Sequence, residues 1–350
     1  MIRLRRLSIP ITILLLLTAF PVIQPGFAAQ QPTARRPSAI LIDVRTGQVL
    51  YARDVHKRMA PASTTKMLTA ILAIERFPLD TPVTISARAA AQRSGSALGL
   101  EAGARWSVGD LLHAMLLRSA NDAAVAVAEA YSGSVEAFAK DMNRKAQRIG
   151  ARNSHFVNPH GLNGQDHYST AYDLALIARY GLQLPVFASL VRQQAWREFS
   201  NTNRFLVKYE GADGVKTGWT AAAGQCLVAS ATRDGWQLLA VVLHSREMYR
   251  DAGQLLDHGF EAFAPLKLAG RGDPLVTLNT NRWRSTLVGV VPSDVVAVVR
   301  RGAAVSSQIR LRSDLRPPVA PGAQVGEVIF FAGQAVVARS ALIAAPPKIR

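Results

Sequence analysis

From Ser38 the chain reads Ser-Ala-Ile-Leu-Ile-Asp-Val-Arg-Thr-Gly-Gln-Val-Leu-Tyr-Ala, two apolar-rich runs on either side of Thr46-Gly47. That pattern predicts a β-hairpin. After Pro61 the apolar positions move to helical spacing at Met67, Leu68, Ile71, Leu72 and Ile74, which predicts a buried helix that stops before Pro78. Residues 80 to 185 keep a mainly helical rhythm, in Ser107 to Leu117, Ala123 to Tyr131, Val135 to Ile149 and Thr170 to Tyr180. Beyond Asp213 the period falls to two, with strands expected at Gly214 to Trp219, Gln225 to Thr232 and Leu238 to His244, the last two joined by Arg233-Asp-Gly-Trp. A closing helix follows from Arg250 to Phe263. Strands at both ends with helices between them predict an α+β fold, one antiparallel sheet flanked by helices with an inserted helical region.

From about Leu266 the composition shifts to Pro, Val, Arg and Gly, with short alternating runs such as Asp294 to Val299 and Val325 to Phe331. These predict a small β-sandwich domain appended at 266–350. At the other end, Met-Ile-Arg-Leu-Arg-Arg precedes an apolar run from Ile9 to Ile23 and small residues at Gly26, Ala28 and Ala29. That is the layout of a signal peptide over residues 1–29. An uncleaved anchor is the competing reading, but the run is short and carries Pro10 and Pro21. The main domain is then expected at 30–265, and the protein is expected in the periplasm or on the extracytoplasmic face of the cell envelope.

Composition narrows the chemistry. With 49% hydrophobic and 19% charged residues the chain can bury a core and is not a disordered protein. One cysteine, Cys226, excludes a disulfide framework and a thiolate metal site, and the seven histidines match no usual zinc spacing. No metal and no cofactor are expected. The formal charge of +17, together with export and scattered arginines, points away from nucleic acid and toward peripheral contact with an anionic wall or membrane.

Ser63 and Lys66 form a Ser-x-x-Lys element, which alone is common by chance. Its company gives it meaning: Ser119-Ala-Asn121 follows at the end of a helical run, and Lys216-Thr217-Gly218 opens the last sheet segment. The three arrive in the order, and on the elements, found in serine β-lactamases and penicillin-binding proteins. A serine hydroxyl needs an adjacent base, and residues i and i+3 of a helix share a face, so a neutral Lys66 can take the Ser63 proton. Burial, the helix N-terminus and the Lys216 charge would each favour the neutral amine.

With these motifs the chain resembles the low-molecular-mass penicillin-binding proteins that act as D-alanyl-D-alanine carboxypeptidases. The likeness covers about residues 36 to 265. It runs through Leu-Leu-Arg-Ser-Ala-Asn-Asp-Ala-Ala around Asn121, Asn158-Pro-His-Gly-Leu, Ser169-Thr-Ala-Tyr-Asp-Leu, Gly214-Val-Lys-Thr-Gly-Trp-Thr and Leu255-Leu-Asp-His-Gly-Phe.

The resemblance implies a serine β-lactamase/DD-peptidase-like fold. It also implies a reaction that removes the terminal D-Ala from peptidoglycan stem peptides ending in D-Ala-D-Ala, through an acyl-enzyme on Ser63, with β-lactams as covalent inhibitors. The oxyanion would be held by the amides of Ser63 and Trp219, whose ring either walls the cleft or packs. Ser119 would relay a proton, Asn121 would hold the substrate amide, and Lys216 and Thr217 would take the terminal carboxylate beside Gly218. Such proteins commonly carry an arginine where Met248 stands here, flanked by Arg246 and Arg250. Arg250 reads as a surface ion pair and His160 as a loop brace. The rivals are a D,D-endopeptidase, a β-lactamase and a non-catalytic wall-binding protein. No Glu-x-x-Leu-Asn element, which one β-lactamase class needs, occurs here.

Overall fold

The computed structural model describes residues 37–162, 164–280, 285–316 and 318–345, so the expected leader at 1–29 lies outside the described residues. The main sheet has five antiparallel strands in the order Val49–Arg53, Ser38–Asp43, Trp236–Ser245, Gly224–Arg233 and Ala212–Thr220. Its first hairpin pairs directly with the last one, Ile40 opposite Val241, so the two ends of the fold close on each other. The Arg233–Trp236 connection turns through Asp234 (φ 50°) and Gly235 (φ 74°), the left-handed pair that a tight two-residue hairpin requires.

The central strands are apolar at nearly every position because both faces are covered. Ile40, Ile42, Val228, Leu239, Val241 and Leu243 enter the core shared with the helical region. Ala39, Leu41, Leu227, Ala229, Leu238 and Val242 enter a second core under the helix Met248–Ala262, with Leu255, Leu256 and Phe260. Gly259 lets this helix seat closely, since a Cβ there would stand 2.5 Å from Leu238 Cδ1.

The helix Lys66–Arg76 runs through the middle of the first core, its residues from Lys66 to Ala73 all buried. Around it stand Val108–Leu117, Asn121–Ser132, Val135–Ile149 and Ala171–Leu182. Ser107, Ser134 and Thr170 cap three of these by accepting the N–H three residues on. Shorter helices at Ala87–Ala91, Pro185–Val191 and Phe205–Lys208 escape the periodicity argument, each being too brief to show a repeat.

The strand Phe263–Ala269 leaves the closing helix directly, straddles the expected boundary at 265/266, and pairs with Val295–Arg300. A second five-stranded sheet follows in the order Pro274–Thr280, Ser285–Val290, Ala335–Ala344, Gln324–Ala332, Val305–Leu311. The pair and the sheet share a core of Ala269, Val291, Val295, Val325, Val328, Phe330 and Leu342. The architecture is α+β with a sheet-rich C-terminal region. Gln48 of the first hairpin ties this region to the main sheet, donating to the Val298 carbonyl at 2.7 Å and accepting the Val298 N–H at 3.0 Å.

Candidate active site

Ser63 does not sit in the α-helix proper but in a 3-10 turn, Ala62–Thr65, that feeds it. With three residues per turn, positions i and i+3 are eclipsed, so their side chains stand one directly above the other. Lys66 Nζ stands 2.9 Å from Ser63 Oγ and donates to the His160 carbonyl at 2.7 Å. The Lys66 side chain is fully buried. Burial, and then the nearby Lys216 charge, push its pKa well below the ordinary lysine value, against a smaller opposing pull from Asp122.

The turn is gripped on one side by the loop that follows residue 155. Thr65 Oγ1 lies 3.0 Å from His167 Nε2, and Thr69 Oγ1 donates to the Pro159 carbonyl at 2.7 Å. Gly161, at φ 87°, packs so tightly that a Cβ would stand 1.8 Å from the Ala62 carbonyl oxygen. Burial drives the His160 imidazole down to about 3, with the neighbouring Lys66 and His167 charges adding to it. His160 therefore stays neutral, and its ring accepts the Leu162 N–H at 3.2 Å, which makes it a brace.

On the other side the strand Ala212–Thr220 abuts the turn. A Cβ on Gly218 would lie 3.0 Å from the Ser63 amide nitrogen, so only glycine lets the strand that carries Trp219 run beside Ser63. Lys216 is 1% exposed, donates to the Thr217 carbonyl at 3.0 Å, and is brought down to about 7 by burial.

The third wall comes from the link between two helices. Ser119, at φ 62°, holds a left-handed conformation that costs about 1–3 kcal/mol in a non-glycine residue, a strain that clusters at functional sites. Asn121 begins the next helix. Its Nδ2 donates to the Ser94 carbonyl at 2.8 Å, and its buried Oδ1 has no hydrogen-bond partner among the described residues.

Ser63, Ser119, Asn121, Thr217, Gly218 and Trp219 line one cleft of about 570 Å³. Lys66 and Lys216 are buried and do not line it. The Trp219 ring is 67% exposed, so it walls the cleft rather than filling the core. Sequence reading missed Gly95, Ser96, Thr202 and Tyr249, which also line the cleft but belong to no recognisable motif. Met248 lines it too, whereas Arg250 is bound to Glu247 and stands 3.9 Å from Asp251. Among the described residues that line the cleft, none is charged.

The family described as D-alanyl-D-alanine carboxypeptidase matches residues 26–247. The chain belongs to that family. It is 31% identical over 342 residues to D-alanyl-D-alanine carboxypeptidase DacF of Bacillus subtilis (strain 168), covering 92% of this chain and 88% of the relative. It is 34% identical over 265 residues to DacC of Escherichia coli (strain K12), covering 68% and 65% respectively. Among solved structures, penicillin binding protein 5 from Haemophilus influenzae superposes with a TM-score of 0.80 at 29% identity, over 91% of this chain and 98% of that one. As a member of the D-alanyl-D-alanine carboxypeptidase family the chain is a serine-type peptidase, with Ser63 on the cleft wall and Lys66 buried behind it.

Proposed function

We propose that this carboxypeptidase cleaves the bond between the two last D-alanines of a peptidoglycan stem peptide, with Ser63 as nucleophile and Lys66 as its base. The observation that carries the reading is a fully buried amine 2.9 Å from a hydroxyl that opens onto a cleft. Neutral Lys66 takes the Ser63 proton as Oγ bonds to the penultimate D-Ala carbonyl carbon. The oxyanion rests on the Ser63 and Trp219 amides, where one such donor contributes ~2.7 to 4 kcal/mol. The C–N bond then breaks, and the leaving D-Ala nitrogen receives a proton from Lys66 by way of Ser119. Water hydrolyses the ester and restores Ser63.

Asn121 holds the substrate backbone, with Oδ1 free to accept an N–H. Thr217 and protonated Lys216 balance the terminal carboxylate. A β-lactam enters the same path, but its leaving nitrogen stays tethered, so the adduct is long-lived. Rapid turnover of penicillin without release of D-Ala would favour a β-lactamase instead. The working unit is residues 30–265, exported behind a 1–29 leader, with 266–350 as an appended module and the basic chain held by charge to an anionic envelope. Release at high salt tests that hold.

The central test is to incubate the protein with a labelled penicillin, digest it and identify the labelled peptide. The label is expected on the peptide holding Ser63 and absent in Ser63→Ala. Label elsewhere, or D-Ala release that survives Ser63→Ala, overturns the reading.

A further inference from the structure

Asp122 follows Asn121, is fully buried, and has no role in the steps above. Its carboxylate accepts backbone N–H groups from Leu98 at 3.0 Å, Gly99 at 2.7 Å, Leu100 at 3.1 Å and its own neighbour Ala123 at 2.9 Å. No cation forms an ion pair with it among the described residues, so backbone dipoles carry its charge, and such charge-assisted bonds are about twice as strong as neutral ones. Asn121 grips the other end of the same segment, its amide donating to the Ser96 carbonyl at 2.7 Å and its Nδ2 to Ser94. Between the two grips lie Gly95 and Ser96, which wall the cleft.

We infer that Asp122 is a positioning residue for the peptidase reaction: by fastening residues 98–100 it fixes the Gly95–Ser96 wall and, through Ser94, fixes the orientation of the Asn121 side-chain amide beside the cleft. One Nδ2 hydrogen is committed to Ser94, which leaves the amide its second N–H and the unpartnered Oδ1. Freeing the segment frees the amide to turn, and a misplaced contact of this kind costs far more in rate than in stability.

A second effect separates this role from simple bracing. The groups facing Lys66 are Lys216 from the strand Ala212–Thr220, His160 from its loop and Asp122 from the helix Asn121–Ser132. Among them only Asp122 favours the charged amine. Removing its charge lets Lys66 lose its proton more readily, so the acid limb of the acylation rate moves to lower pH even as the rate falls.

The inference rests on the Ser63–Lys66 reading, and the test keeps the two apart. Acylation of the full chain by labelled penicillin is followed against pH, with kcat and KM on an acyl-D-Ala-D-Ala substrate and circular dichroism for folding. Asp122→Asn is expected to acylate about tenfold slower or worse, with the acid limb displaced downward. Gly99→Ala, which strains the segment at φ 89° and brings a methyl against the Arg93 guanidinium while leaving the Asp122 charge in place, is expected to slow acylation with the limb unmoved. Asp122→Asn acylating within roughly twofold of wild type and with an unmoved limb overturns the inference. If that variant does not fold, a normal rate in Gly99→Ala does so. Label persisting in Ser63→Ala would instead sink the underlying reading.

Discussion

Lys66 and Ser63 are 2.9 Å apart at a point where water does not reach the amine. A guanidinium cannot be deprotonated in a protein, so Lys66→Arg keeps roughly the length while replacing the base with a permanent cation. Acylation by penicillin is expected to fall by about 10²- to 10⁴-fold. Stopped-flow labelling checks this, and a near-normal rate would assign the proton to another group.

Gly161→Ala should damage the same pair from outside. The added methyl meets the Ala62 carbonyl and sits at φ 87°, so one of the two backbones must move. A loss of about 1–3 kcal/mol is expected together with a drop in kcat, because Ala62 adjoins the nucleophile. Thermal melts and steady-state kinetics on one preparation test it.

Lys216 makes stability depend on pH. Its folded value of about 7 lies below its ordinary 10.5. The unfolded chain therefore holds more protons between those limits, and stability rises with pH across that window. Below pH 7 the stabilisation is absent, and above 10.5 it is complete. Lys216→Met is expected to raise Tm at pH 7, with an effect on the order of 3–5 kcal/mol that shrinks toward pH 10.5, while catalysis falls. Melts of both proteins across pH decide it.

His160→Asn is expected to leave the shape of the pH–rate profile unchanged between pH 5 and 9, because a group held at about 3 does not titrate there. The rate itself should drop by less than roughly tenfold, reflecting a loosened loop rather than a lost base, which would cost more. A limb that vanished would make His160 a proton carrier.

Arg250→Ala is expected to leave kcat/KM within about twofold, since an exposed ion pair contributes little and this guanidinium is engaged by Glu247 outside the cleft. A large rise in KM for the free carboxylate would place Arg250 in substrate binding.

Much of this molecule was legible in its sequence because its elements are long and strongly patterned. The helix Val135–Ile149 agrees residue for residue with the apolar repeat, and the last hairpin of the main sheet is marked by Asp234-Gly235. Ser63, Ser119 and Lys216 could be grouped because three motifs came in one order. What escaped notice depends on contacts between distant segments. Nothing in Ser94-Gly-Ser-Ala-Leu-Gly announces that it will cross Asn121, and nothing local to Asp122 shows which amides it will collect. The 3-10 geometry at Ser63 was hidden as well, since the turn lies where Gly161 and Gly218, both distant in sequence, pack against it from two sides.

The indole of Trp219, two-thirds exposed at the cleft mouth, has a practical consequence. An acyl group arriving on Ser63 would displace solvent from that ring, so the intrinsic fluorescence of the untagged protein can serve as an optical clock for adduct formation and decay. Inhibitors could then be ranked by residence time without any label.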